Sequence, residues 1–137
     1  MGEVSANKLI HVAVGVVIDR DKRVLIALRG EHLHMGNRWE FPGGKVELGE
    51  TVEQALVREL REEIGISVSA VEPLMVVEHD YPEKSVKLDV WWVREFAGKP
   101  QGCEGQQVLW VSAAELDKYA FPEANETIVS AVIRQLS

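Results

Sequence analysis

Three glutamates, Glu59, Glu62 and Glu63, stand at i, i+3 and i+4 in the run Arg58-Glu-Leu-Arg-Glu-Glu-Ile-Gly65. On a helix this spacing brings like charges together and costs about 0.2–0.5 kcal/mol per pair even in water. A helical wheel at about 100° per residue sets out an apolar arc of Val52, Ala55, Leu56, Leu60 and Ile64. Glu63 falls inside that arc, between Val52 and Leu56. Glu59 lies beside Val52, Glu62 lies at the edge beyond Ala55, and Gln54, Arg58 and Arg61 point away. A solvated run of charge would place its acids opposite the core, so these inward carboxylates call for a cation. Clustered carboxylate oxygens suit a hard ion, and Mg2+, with Mn2+ as a substitute, takes one or two such ligands together with water and phosphate oxygens. Zinc is disfavoured, because His32 and His34 make no helical His pair and Cys103 is the single cysteine.

The glycines just upstream, Gly43, Gly44 and Gly49, let the main chain come close to an ion or a phosphate. They do not form a Walker loop, since Gly44-Lys45 is followed by Val46 and not by Ser or Thr. Cys103 has no patterned His and Asp around it and reads as a small side chain without a catalytic role.

These groups need a scaffold to hold them. Thr51-Val-Glu-Gln54 is a capping box and Gly65 is a φ-permissive stop, which together predict a helix over 51–64. Residues 10–18 and 23–28 are β-branched stretches around the polar turn Asp19-Arg-Asp-Lys22 and are expected to pair as a hairpin. Residues 67–78, 86–96 and 107–111 also have strand character. Ser112-Ala-Ala-Glu115 has the form of a second capping box, and Ile128, Val129, Val132, Ile133 and Leu136 mark a C-terminal helix. The expected fold class is α/β (α+β), a mixed β-sheet sandwiched between helices, with residues 1–137 as a single domain.

Composition narrows the function further. The 15 Lys and Arg against 22 Asp and Glu give a net charge of -7, which argues against gripping a nucleic-acid duplex but suits a protein whose bound cations meet an anionic small molecule. The apolar run 12–18 is too short to cross a bilayer and lacks the flanks of a signal peptide, so no membrane association is expected. A lone cysteine fits a reducing compartment, and the expectation is cytoplasmic.

The spacing can then be read as a whole: Gly44, five residues, Glu50, seven residues, and Arg58-Glu-Leu-Arg-Glu-Glu-Ile-Gly-Ile66. It resembles the complete Nudix box, residues 44–66. The likeness extends along the chain through 12–15, His34-Met35, 40–45, 104–106 and 121–126, where it is similar to the mutator-type 8-oxo-dGTP diphosphatases of the Nudix family. The resemblance implies hydrolysis of 8-oxo-dGTP at the β-phosphorus to 8-oxo-dGMP and pyrophosphate, by a monomer acting on a small-molecule nucleoside triphosphate. It also implies that Glu59, Glu62 and Glu63 hold the catalytic metal, completed by the Gly43 carbonyl and Glu104, with Glu59 or Glu104 as the base. Arg58 would orient the box through Glu50. Arg29 and His34 would lie near the phosphates, with Lys45 assisting, and Phe41 with the backbone of Glu40, Pro42 and Gly43 would line the base pocket. Asn125 would read the oxidised guanine edge, since an amide offers a donor and an acceptor together. The alternative for Asn125 is a helix N-cap ahead of Ile128. The stretch 81–92 departs from the mutator-type pattern, with Tyr81 where phenylalanine is expected. The alternatives in function are a Nudix pyrophosphatase for CTP, dCTP or dihydroneopterin triphosphate, and a non-catalytic nucleotide-binding module.

Overall fold

The computed structural model describes residues 8–33 and 36–136. Along the chain run β1 (Lys8–Val17), β2 (Arg23–Leu28), β3 (Trp39–Glu40), β4 (Gly43–Lys45), α1 (Val52–Ile64), β5 (Ser67–Asp80), β6 (Lys84–Ala97) and β7 (Val108–Ser112). Two short 3-10 turns, Ala113–Lys118 and Glu123–Asn125, then lead into α2 (Glu126–Leu136).

The strands form two sheets, ordered β4-β1-β6-β5 and β3-β2-β7. The first is mixed, because β1 runs parallel to β6 while β1–β4 and β5–β6 are antiparallel. Strand β1 is apolar without alternation because both of its faces are covered. Ala13 and Val17 pack with Leu56, Leu60 and Ile64 of α1, whereas Val14 and Val16 pack with Ile128, Val129 and Val132 of α2. Each fully buried Leu or Ile of this kind contributes roughly 1.5–3 kcal/mol. The expected layering of strands between helices is thus present, as α+β with the strands divided into two sheets.

Two local expectations are corrected. β1 and β2 do not pair as a ladder: a single bridge, Ile18 to Val24, joins them, and β2 lies between β3 and β7. The turn itself is well made, with the Asp19 carboxylate accepting from the Asp21 and Arg23 amides at 2.9 and 2.8 Å. Both edges of β1 are already taken by β4 and β6, so β2 must leave for the second sheet. At Ser112 no side-chain cap forms. Its hydroxyl meets the Glu115 carboxylate at 3.2 Å, and the segment winds as a 3-10 turn.

Candidate active site

Helix α1 starts and stops where its sequence dictates. The Thr51 hydroxyl accepts from the Gln54 amide at 3.1 Å, and the Gln54 side chain accepts from the Thr51 amide at 2.9 Å. Gly65, at φ 73°, ends the helix and returns its N–H to the Arg61 carbonyl at 3.1 Å. This fixed frame presents the glutamates.

Glu63 is buried, at 9% exposure, on the helix face that also buries Ala55, Leu56, Leu60 and Ile64. Burial first, then the carboxylates of Glu40, Glu104 and Glu59, push its pKa up to about 8, and a hydrogen bond from the Gly43 backbone only partly offsets this. Glu59 is half-buried and also raised, by desolvation first, although Arg58 pulls the other way. Glu62 lies further out than its neighbours, with 58% of its side chain exposed, so the inward expectation holds for Glu63 and Glu59 and fails for Glu62. Its position at the rim of the arc leaves it to water.

Arg58 points away from the core, yet it is covered by loop 45–50. Its guanidinium holds Glu50 with two bonds, at 2.7 and 3.0 Å, and also donates to Glu59 at 2.8 Å and to the Lys45 carbonyl at 3.1 Å. The planar fork suits this bidentate grip, which a lysine would not reproduce. The hydrogen bonds from Arg58, followed by one from the Glu47 backbone, lower the Glu50 pKa to about 2, and Arg58 itself is raised by Glu50 and Glu59. The box is therefore braced from the loop side.

Strand β4 lies antiparallel to β1, with Gly43, Gly44 and Lys45 opposite Val14, Ala13 and Val12. A Cβ at Gly43 would overlap the Ala13 carbonyl, and one at Gly44 would overlap the Glu59 carboxyl group. Close approach of backbone requires glycine at 43, whereas a side chain at 44 would have to displace the Glu59 carboxyl group. Glu104 sits on an exposed loop that is tied to the helix end. Gln106 accepts from the Glu104 amide at 2.9 Å and donates to the Glu63 carbonyl at 3.1 Å, and the Cys103 amide donates to that carbonyl at 3.0 Å. Sequence reasoning assigned Gln106 nothing, and its adjacency to Glu104 was the only signal available.

A cavity of about 240 Å³ opens on the α2 side of the first sheet. Arg29, Glu40, Phe41, Gly43, Lys45 and Asn125 line it, with Val12 and Val14 as its apolar floor. A neighbouring cleft holds Glu63 and Glu104 and shares Arg29 and Glu40 with the first. At that junction Arg29 donates to Glu40 at 2.6 Å. Burial nonetheless raises the Glu40 pKa, with the Arg29 charge opposing. Phe41 is buried and stacks on Phe121, centroids 5.2 Å apart. Pro42 is buried too, its carbonyl accepting from the Gly15 amide at 2.8 Å, and it does not line the cavity. Asn125 ends the 3-10 turn before α2, and its side chain caps no amide among the described residues. His34 lies outside the described residues.

Among the described residues no three His, Cys, Asp or Glu side chains already converge as a metal cage. The donor set nevertheless fits a hard cation. The charges of Glu40, Glu104 and Glu59 add to burial in raising the proton affinity of Glu63, while Glu59 leans on Arg58 and Glu40 on Arg29. A divalent ion would relieve the repulsion centred on Glu63.

A family model described as the NUDIX domain matches residues 13–131. The chain belongs to the Nudix family. It is 39% identical over 127 residues to an 8-oxo-dGTP diphosphatase of Escherichia coli (strain K12), a match covering 93% of this chain and 98% of that protein. It is 37% identical to a CTP pyrophosphohydrolase of the same organism, covering 90% and 91%. A solved structure from work on MutT of Aliivibrio salmonicida and Vibrio cholerae superposes with a TM-score of 0.82 at 45% identity, covering 93% of this chain and 99% of that one. The expectation of a Nudix hydrolase, an enzyme of phosphoanhydride bonds, is borne out, and divalent cations are the general requirement of such enzymes. No helix among the described residues is long and apolar enough to cross a membrane.

Proposed function

We propose that this Nudix hydrolase is a magnesium-dependent pyrophosphohydrolase of 8-oxo-dGTP that releases 8-oxo-dGMP and pyrophosphate, and that residues 1–137 form one catalytic domain. The observation that carries the proposal is the adjacency of two compartments. Asn125 and an apolar wall share a cavity with Arg29 and Glu40, and these two also border the cleft that holds Glu63 and Glu104. A purine fits the first compartment and its phosphates the second. The relative named 8-oxo-dGTP diphosphatase supports the same substrate.

Glu59, Glu62, Glu63, the Gly43 carbonyl and Glu104 would hold the metal, with Mn2+ able to replace Mg2+. When bound, such an ion neutralises phosphate charge and acidifies water. The chain's own residues do the rest. Arg58 keeps Glu59 and loop 45–50 in one arrangement. Arg29, which borders both compartments, and Lys45 receive the phosphates, a role the family resemblance also assigns to His34. Glu59 or Glu104 takes the proton from the water that attacks the β-phosphorus. As the new P–O bond forms, the α–β bridging oxygen leaves with the nucleoside monophosphate. Phe41 and the 40–43 backbone bound the base pocket, and the Asn125 amide pairs with the purine edge. The protein works as a cytoplasmic monomer on a small-molecule nucleotide.

A second reading, a CTP or dCTP pyrophosphohydrolase, is favoured by the 37% identical relative of that name. The deciding measurement is pyrophosphate release with Mg2+ across dGTP, 8-oxo-dGTP, dCTP, CTP and dihydroneopterin triphosphate. A leading kcat/KM for 8-oxo-dGTP is expected, and a pyrimidine lead would replace the proposal with the second reading.

A further inference from the structure

The wall that carries Asn125 is pinned by a hydroxyl. Tyr81 opens the turn joining β5 to β6, closed by Tyr81 N–H to the Lys84 carbonyl at 2.8 Å and by Lys84 N–H to the Tyr81 carbonyl at 3.2 Å. Its ring is 6% exposed, lines the cavity and meets His79 edge-on at 4.6 Å. From this fixed base the Tyr81 Oη accepts the Ala124 amide at 3.0 Å in a buried bond.

Ala124 lies within the three-residue 3-10 turn Glu123–Asn125, whose first amides have no partner inside the turn. The Asn125 amide finds the Pro122 carbonyl at 2.9 Å, and among the described residues the Ala124 amide finds the tyrosine hydroxyl. On the other flank, Phe121 is held against Phe41. The turn is thus secured on one side by ring stacking and on the other by one directional bond, a single residue before Asn125.

We propose that Tyr81 is a positioning residue for substrate selection: its hydroxyl sets the height and angle at which Asn125 enters the cavity, and so tunes how sharply a purine edge is read. The inference rests on Asn125 contacting the base. A phenylalanine at 81 would keep the ring and lose the tether, leaving a buried amide unpaired.

The test is the ratio of kcat/KM for 8-oxo-dGTP over dGTP in wild type, Tyr81→Phe, Asn125→Ala and the double variant, together with hydrogen exchange at the Ala124 amide. Loss of one buried hydrogen bond should lower the ratio by about two- to tenfold in Tyr81→Phe. It should have no further effect once Asn125 is alanine, and the Ala124 amide should exchange faster. An unchanged ratio in Tyr81→Phe, or an equal drop with and without Asn125, overturns the inference while leaving the base contact intact. If Asn125→Ala itself leaves the ratio unchanged, it is the base contact that fails, and the tether is then judged on exchange: faster exchange at Ala124 in Tyr81→Phe supports it, unchanged exchange overturns it.

Discussion

The two halves of the site are built from different materials. The compartment proposed for the phosphates is made of charge. Three carboxylates, Glu40, Glu59 and Glu104, surround Glu63 and raise its proton affinity, and two arginines hold Glu40 and Glu59, nearly all within residues 29–63. The compartment proposed for the base is made of shape, with Phe41 stacked on Phe121 and Tyr81 bonded to the backbone of Ala124, drawn from residues 41, 81 and 121–125. Charge acts over several ångströms and tolerates small displacements when it is braced at many points. Selection of a base by one amide depends on a single directional contact. The first half should therefore govern whether the reaction runs at all, and the second which nucleotide it runs on.

The largest effect that would break this division is expected at Glu63. Glu63→Gln should lower kcat by at least about a hundredfold on every nucleotide alike, as loss of a central ligand would, without altering the ratio between bases. A change in that ratio would show the halves to be coupled. Arg58→Lys comes next. It retains a charge but loses the bidentate hold on Glu50 and the bond to Glu59, so kcat should fall about tenfold, again uniformly across nucleotides, with circular dichroism confirming that the helix persists.

The last effect is on stability and leaves the choice of nucleotide aside. Glu63 is raised from an ordinary value near 4.5 to about 8, so between those pH values the folded chain keeps a proton that the unfolded chain has released. The stabilising contribution is complete below pH about 4.5 and is lost as pH rises through about 8, an effect on the order of a few kcal/mol. Without divalent ion, the melting temperature should decline over that window, and the decline should shrink in Glu63→Gln, with Glu40 and Glu59 supplying what remains. Added Mg2+ should raise the melting temperature more at pH 8.5 than at pH 6, and an equal rise at both would remove Glu63 from the metal site.

The charged half was legible in the sequence because its signals are local. Capping box, helical period and glycine stop all sit within 51–65, and the wheel put Glu63 on the core side, where it is buried. What escaped depends on contacts between distant segments. The division into two sheets follows from which strands take the edges of β1, something residues 10–28 do not encode by themselves. Gln106 and the Tyr81 hydroxyl act through backbone groups 43 residues away in each case, so neither has a pattern to recognise. Glu62 was drawn inward by a wheel that knows angles but not the depth of the neighbouring layer.

Strand β1 works as a bulkhead. Ile10, Val12 and Val14 face the cavity, while Ala13 and Val17, between and beyond them, seat the carboxylate helix. Because successive side chains point to opposite faces, one strand serves the cavity on one side and the helix on the other with different side chains. The floor of the base cavity can be recarved, a methylene at a time, without unseating the machinery beneath it. A lineage could thus change its nucleotide while leaving its chemistry untouched.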